Sequence, residues 1–167
     1  MREAYYHEDD FCQVELLPID NLQHCLAQMG EQQAFAAAHQ SGAGWTDMYM
    51  RQEPPSRLVT LGMTGEQLRL AVMEVLPPYD AVFTGYSSYR VECRNVLAFG
   101  GDKTETLFAG LDGDGIVADL WCSDALPQLL LLPLLEQLLL ADWNAGCACP
   151  LADQALFARY LQEYELD

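Results

Sequence analysis

Hydrophobic positions recur at helical spacing in two segments of the first half of the chain. The first spans residues 22–39, behind an N-cap at Asp20 or Asn21, and its apolar side chains recur on one side. The second spans residues 64–75 and opens with Thr64 followed by a Glu-Gln pair, which resembles a capping signature. Each pattern predicts a helix that packs its apolar face against another layer of the fold.

Short apolar or alternating runs predict strands in much of the remaining chain. The predicted strands are residues 10–17, 45–51, 57–63, 80–86, 90–99, 106–111 and 116–121. The sequence DGDG at 112–115 predicts a tight hairpin between the last two strands, because Asp-Gly supplies the positive φ angles that such a turn needs.

The most hydrophobic stretch, residues 126–140, predicts a buried helix that Pro133 kinks or divides. It is too short, and too often interrupted by polar residues and proline, to span a bilayer comfortably. A last amphipathic helix is predicted from about residue 151 to residue 164. Together these elements predict one α+β domain over residues 1–167. It contains a mostly antiparallel sheet of about five or six strands, packed by helices, and its C-terminal part is helical.

The charge balance restricts the partners that the chain can bind. The 167 residues contain 8 Lys and Arg against 25 Asp and Glu, which gives a formal net charge of −17. This balance argues against direct binding to nucleic acid or to an anionic membrane, since both require a cationic surface. It favours a basic protein as the partner, and the concentration of acids near both ends would attract such a partner at long range. A merely solvating acidic surface is the alternative.

Motifs that would indicate a cofactor or a catalytic residue are missing from the sequence. The first residues have no apolar core of a secretory signal, which predicts a cytoplasmic protein with reduced cysteines. Cys147 and Cys149 come closest to a metal pair, but they lack a second pair at matched spacing. The 112–115 turn lacks the later ligands of a calcium loop. Carboxylates beside Cys12 and His7 disfavour a reactive thiol. We therefore expect no metal, no cofactor and no catalytic residue.

Two clusters combine tyrosine with charge and are candidate binding residues. The run YYHEDD at 5–10 places two tyrosines beside three carboxylates, and the run TGYSSYR at 84–90 places two tyrosines in a predicted turn. Exposed tyrosine beside carboxylate suits the recognition of Lys- and Arg-rich protein surfaces. The alternative is that these rings pack in the sheet, with only their hydroxyl groups at its rim.

Four segments give the chain a resemblance to a known family. They are YYHEDDFCQVELLP at 5–18, WTDMYMRQEPP at 45–55, LPPYDAVFTGYSSYR at 76–90 and DGDGIVADLWC at 112–122, and they cover about a third of the chain. They resemble the pattern of one family of immunity proteins encoded beside polymorphic toxins in bacteria. In that family the partner is a restriction-endonuclease-like toxin delivered by type VI secretion. The resemblance implies a protein that binds its cognate toxin and blocks its active site or substrate path. It carries over no functional residues.

On this hypothesis the chain imitates the field of a nuclease's substrate, since a nuclease presents a cationic surface to nucleic acid. The acidic residues expected to supply that field are Glu8, Asp9, Asp10, Asp102, Asp112 and Asp114. The expected aromatic anchors are Tyr86 and Tyr89, with Tyr5 or Tyr6.

Two other classes of function stay open on the sequence. An adaptor or secretion chaperone would bind its cargo through an apolar groove, and the leucines of 126–140 would then be partly exposed. A small enzyme would show a deep pocket with convergent titratable groups. The oligomeric state is also left open.

Overall fold

A computed structural model describes residues 1–86, 88–101, 105–124 and 126–164. The fold is α+β, as the sequence predicts. The strands are β1 (Glu3–Tyr5), β2 (Val14–Pro18), β3 (Gln40–Ser41), β4 (Gly44–Trp45), β5 (Ala81–Tyr86), β6 (Tyr89–Glu92), β7 (Val96–Phe99), β8 (Leu107–Leu111), β9 (Val117–Cys122), β10 (Leu138–Asp142) and β11 (Cys147–Pro150). The helices are α1 (Leu22–His39), α2 (Gly65–Val72) and α3 (Gln154–Tyr164).

The strands form two sheets and one short ribbon. In the larger sheet the order is β11-β10-β2-β9-β8-β7, and every neighbouring pair is antiparallel. In the smaller sheet β1 runs parallel to β5, and β5 is antiparallel to β6. β3 and β4 form the ribbon. The predicted antiparallel sheet of about five or six strands is therefore confirmed, and β1 supplies a parallel exception outside it.

β10 lies inside the larger sheet and is buried along its whole length. Leu138 and Leu140 pack into the main hydrophobic core, whereas Leu139 and Ala141 pack on the opposite face with residues of α1. β2 and β11 pair with its two edges. A strand that is buried on both faces carries no alternation of apolar and polar residues, so its sequence resembles that of a buried helix.

The predicted helix over residues 126–140 is wrong. This stretch forms two short 3-10 turns, Pro127–Leu131 and Pro133–Leu135, and its last leucines enter β10. Proline suits the first position of a helical turn, but it lacks the N–H that a continuing helix needs. Two prolines six residues apart therefore leave room only for single turns. The helical C-terminal part is confirmed in α3.

Local signals in the sequence predicted three other features correctly. α1 has the predicted bounds, and the 112–115 turn joins β8 to β9. The capping box of α2 is complete: Thr64 Oγ1 accepts the Gln67 N–H at 3.1 Å, and Gln67 Oε1 accepts the Thr64 N–H at 2.9 Å. These features depend on neighbours within a few residues, which a sequence pattern can show.

The middle of the chain departs from the predicted strands. The strands at 45–51 and 57–63 are wrong, because residues 46–57 are irregular and a 3-10 turn, Leu58–Leu61, follows them. Residues 90–99 form β6 and β7 rather than one strand. The sequence pattern does not predict β1 or β11.

Residues 46–57, which we call the strap, are held against α1 and its start by two buried amide side chains. Gln28 Oε1 accepts hydrogen bonds from the Tyr49 hydroxyl at 3.0 Å and from the Gln52 N–H at 2.9 Å. Asn21 donates to the Ser56 carbonyl at 2.8 Å and accepts the Ser56 N–H at 3.0 Å. Side-chain hydrogen bonds thus order this segment in place of strand pairing.

A buried carboxylate joins α3 to the larger sheet. Asp142, at the end of β10, is fully buried, and its Oδ2 accepts a hydrogen bond of 2.8 Å from the Tyr160 hydroxyl on α3. Its Oδ1 accepts the Ala145 N–H at 2.8 Å. A carboxylate without such partners would be costly in this position, because burial removes its hydration.

We predict that Tyr160→Phe lowers the free energy of unfolding by about 1–3 kcal/mol, because one oxygen of a buried carboxylate loses its donor. Urea denaturation monitored by circular dichroism measures the change. Tyr86→Phe is the matched control, since the Tyr86 side chain is exposed, and we expect a change below about 0.5 kcal/mol. Equal effects of the two substitutions would contradict this role for the Asp142–Tyr160 bond.

Candidate functional site

One face of the smaller sheet carries an open pocket of about 510 Å³. Its lining is mainly aromatic, with one ion pair at its edge. We call it the aromatic pocket, and its lining residues are Glu3, Ala4, Tyr5, His7, Phe83, Tyr86 and Arg90. This volume falls within the range of about 300–1,000 Å³ that is usual for ligand pockets.

The parallel pairing of β1 with β5 builds this pocket. Tyr5 and Phe83 are register partners, and the Tyr6 N–H donates to the Phe83 carbonyl at 3.1 Å. The Thr84 hydroxyl donates to the Tyr6 carbonyl at 2.9 Å. The chain that leaves β1 therefore passes beside the tip of the β5–β6 hairpin, and His7 and Tyr86 line the same pocket.

The hairpin tip presents both predicted tyrosine anchors to solvent. Tyr86 and Tyr89 are register partners at the end of the β5–β6 pair, and they are 81% and 74% exposed. Gly85 has a φ of +96°, and a Cβ at this position would collide with the carbonyl oxygen of Tyr89. Glycine is therefore required for the backbone shape that brings Tyr86 to the pocket.

An acidic turn stands beside the aromatic pocket. The 3-10 turn Glu8–Asp10, which we call the acidic turn, directly follows His7, and all three of its side chains are exposed. The rings of His7 and Tyr5 meet edge to face, with centroids 5.1 Å apart. The structure therefore brings the predicted acids Glu8, Asp9 and Asp10 into the neighbourhood of the predicted anchors.

The cation of the pocket is already neutralised within the protein. The Arg90 guanidinium lies 3.9 Å from the centroid of the Phe83 ring and forms an ion pair of 2.9 Å with Glu3. Because Arg90 and Glu3 cancel each other, the charge of the neighbouring acidic turn is left to dominate the local field.

Tyr5 and Tyr6 have different roles. Tyr5 lines the pocket and is partly exposed, whereas Tyr6 packs edge to face on the rings of Phe108 and Trp121 on the opposite side of the sheet. Burial and a hydrogen bond with Cys93 raise the pKa of Tyr6 to about 12. Of the two tyrosines, Tyr5 is therefore accessible at the pocket, and Tyr6 fixes the small sheet to the core.

Two other predicted acids, Asp112 and Asp114, lie away from the pocket, in the turn between β8 and β9. Asp112 Oδ1 accepts the N–H groups of Asp114 and Ile116 at 2.9 Å each, so its carboxylate stabilises the turn. The Asp114 side chain is exposed in the same turn, which lies beside the start of α2 because the Gly65 N–H donates to the Gly115 carbonyl at 3.0 Å. The predicted residue Asp102 lies outside the described residues.

A second group of titratable residues lies where the strap meets β2 and β9. Glu15 contributes to two small cavities there, of about 180 and 200 Å³. The first also contains Asp119 and Arg57, and the second contains Arg51 and Trp143. Both are smaller than usual ligand pockets. The sequence pattern gave no signal for this group, because its members come from four distant segments.

Two carboxyl groups of this cluster, those of Glu15 and Asp119, have raised pKa values. Burial raises the pKa of Glu15, although the Trp143 indole N–H, which donates to Glu15 Oε1 at 2.8 Å, and the nearby Arg51 act in the opposite direction. Arg51 stacks 4.5 Å from the centroid of the Trp143 ring. Burial also raises the pKa of Asp119, against the influence of Arg57. Glu15, Arg51 and Trp143 are therefore already engaged with one another within the protein.

Over the described residues, no group of three or more His, Cys, Asp or Glu side chains could hold a metal ion. Within those residues, no helix combines the length and the apolar character needed to cross a bilayer.

We predict that Glu15→Gln changes stability in a pH-dependent way. The pKa of Glu15 is raised in the folded state, so its ionisation destabilises the fold as the pH rises from about the ordinary value of 4.5 through the raised pKa. Glutamine keeps an oxygen for the Trp143 N–H but cannot ionise. The free energy of unfolding of the variant, relative to the parent, should therefore increase between pH 4.5 and pH 7 in urea denaturation. A difference that does not change with pH would contradict a buried, strained carboxylate.

Comparison with known proteins gave no matching family model, no matching curated protein and no matching solved structure.

Proposed function

We propose that the chain is an immunity protein of the bacterial kind that it resembles. It binds a cationic effector toxin of nuclease type and blocks the toxin's active site or substrate path. The observation that supports this most is the combination of the aromatic pocket with the acidic turn beside it. An aromatic pocket next to carboxylates is a receptor for a Lys or Arg side chain, because ring faces and carboxylates both attract a cation.

The aromatic side chains of the site are suited to anchor a protein partner. Tyr5, Tyr86 and Tyr89 offer large, rigid surfaces whose ordering costs little conformational entropy, and such residues dominate binding energy at protein interfaces. All three tyrosines lie on paired strands rather than on a free loop. The partner therefore meets a preformed surface, which lowers the entropic cost of binding.

The charge of the chain supports fast capture of a basic partner. A net charge of −17 attracts a cationic nuclease over several ångströms of solvent and raises the rate of encounter. A nuclease must keep its cationic surface to bind nucleic acid, so it cannot easily escape an inhibitor that uses the same surface.

An adaptor or chaperone function is the second candidate, and one observation favours it. The leucines of 126–140 are mostly covered, although Leu131 is 63% exposed. Trp45, Met48 and Met50, however, project from the ribbon and the strap as exposed apolar side chains. Such a surface suits an apolar cargo segment rather than a cationic active site.

The two candidate functions predict different captured proteins and different effects of salt on their binding to the chain. The tagged full chain is used to capture proteins from its native cell extract at low and high salt, and each captured protein is then expressed alone and with the chain. The proposal predicts a basic protein that arrests growth alone and is harmless with the chain. A harmless apolar cargo, held equally at high salt, would overturn it in favour of the adaptor.

For the toxin identified in this way, we predict that neutralising the acidic turn slows its association with the chain. Glu8→Gln, Asp9→Asn and Asp10→Asn together should lower the association rate roughly tenfold at low salt, and less at high salt, because steering is screened. The control neutralises three exposed acids elsewhere, Asp20→Asn, Glu74→Gln and Glu136→Gln, with the same change in net charge. Stopped-flow binding that shows equal slowing in both variants would remove the acidic turn from the interface.

We predict that Tyr86→Ala acts on dissociation instead. Loss of an interface anchor should raise the dissociation rate roughly tenfold or more, with little change in association. Tyr86→Phe keeps the ring and should retain most of the affinity. Surface plasmon resonance measures both rates, and unchanged dissociation of the alanine variant would exclude Tyr86 as an anchor.

A further inference from the structure

The aromatic pocket already contains one guanidinium group, that of Arg90. Arg90 is the register partner of Gly85, and because glycine has no side chain, Arg90 can extend across β5 on the pocket face. Its guanidinium carbon lies 3.9 Å from the centroid of the Phe83 ring, and its Nη2 is 2.9 Å from Glu3 Oε2 on β1. An arginine of the chain itself therefore occupies a ring face and a carboxylate that suit the recognition of a partner's cation.

The contacts of Arg90 are weak enough to be exchanged. The side chains of Arg90 and Glu3 are 46% and 42% exposed, and an ion pair at that exposure contributes little to stability. A guanidinium from a partner would make the same contacts with the Phe83 ring and the Glu3 carboxylate. The pocket is open and has a volume of about 510 Å³, so it has room for the entering side chain as Arg90 moves out.

The lining of the pocket suits arginine better than lysine. Tyr5 and Tyr86 add ring surface, and the acidic turn directly follows His7 of the lining. A guanidinium is planar, stacks on such rings and pairs with a carboxylate through two N–H groups, whereas an ammonium is a strongly hydrated point charge. The negative field of the acidic turn also opposes the carboxylate of a free amino acid. The lining therefore favours an arginine that is part of a protein chain.

We propose that an arginine side chain of a protein partner enters the aromatic pocket by displacing Arg90 from Phe83 and Glu3. Arg90 is then a competitor built into the site, and it lowers the affinity of the pocket for isolated arginine side chains. Tight binding requires a partner that also contacts the acidic turn and the exposed tyrosines. The inference rests on the proposed function, because it names the group of the toxin that the site recognises.

The test titrates the full chain with N-acetyl-argininamide, a blocked arginine, and follows the N–H signals of the protein by NMR. Arg90→Gln removes the competitor, so its affinity for this probe should be roughly tenfold higher than that of the parent. Arg94→Gln is the matched control, because Arg94 is exposed, lies outside the pocket lining and carries the same charge. Its affinity should change less than about twofold. Equal affinity of the parent and Arg90→Gln, or an equal gain in both variants, would overturn the proposal.

The displacement itself has a separate readout. The Nε–H signal of Arg90, identified by its loss in Arg90→Gln, should shift as the parent binds the probe, together with the amide signals of β1 and the β5–β6 hairpin. An Arg90 signal that stays in place while these amide signals shift would overturn the exchange. Adding Glu3→Gln to Arg90→Gln should abolish most of the gain in affinity, since the incoming guanidinium then lacks its carboxylate.

Two further probes define the group that the pocket accepts. N-acetyl-lysinamide should bind Arg90→Gln more weakly than the arginine probe does, because an ammonium cannot stack on the rings. Equal affinity would contradict the recognition of arginine. Free L-arginine should bind no more tightly than the blocked form, and much tighter binding would assign the pocket to the amino acid rather than to a protein partner.

These titrations contain no toxin, so their outcome is independent of the capture experiment. Exchange of Arg90 by the arginine probe, without capture of a growth-arresting protein, would support the arginine site and remove its proposed role in immunity. Capture of a toxin, without arginine binding in the pocket, would overturn this inference and leave the proposed function standing.

Discussion

Burial of β10 on both of its faces is the constraint on which the rest of the structure depends. The strand receives α1 on one face and the main core on the other, and it is hydrogen-bonded to β2 and β11 along its edges. At about 25 cal/mol for each Å² of apolar surface buried, a strand of leucines covered on two sides contributes more than a half-covered one. Its last residue, Asp142, also binds Tyr160 and so secures α3.

The candidate site is possible because the smaller sheet uses only one face for packing. Ala4, Val82, Phe108 and Trp121 form a separate hydrophobic cluster between the two sheets. The outer face is left open, and Tyr5, Phe83 and Arg90 stand on it without a covering helix in the described residues. A stable core thus carries an exposed aromatic surface, which an isolated small sheet could not hold rigid.

The sequence correctly predicted features that depend on residues close together in the chain. It failed where contacts with distant segments determine the local structure. The α1 bounds, the Thr64 cap and the 112–115 hairpin follow from residues a few positions apart. β10 imitates a helix because burial on two faces removes alternation. The sequence predicted Tyr86, Tyr89 and the acids of the acidic turn as binding residues. It did not predict that they lie close together, because their proximity depends on the parallel β1–β5 pair, which no local pattern shows. The different roles of Tyr5 and Tyr6 depend on the same pair.

The most direct test of the proposed binding site is hydrogen–deuterium exchange of the chain alone and in complex with the basic partner that the capture experiment is designed to identify. We expect slower exchange on binding in β1, in the acidic turn and in the β5–β6 hairpin, with the strap unchanged. Protection confined to the ribbon and the strap around Trp45, Met48 and Met50, with β1 and the hairpin exchanging as in the free chain, would contradict the proposed site.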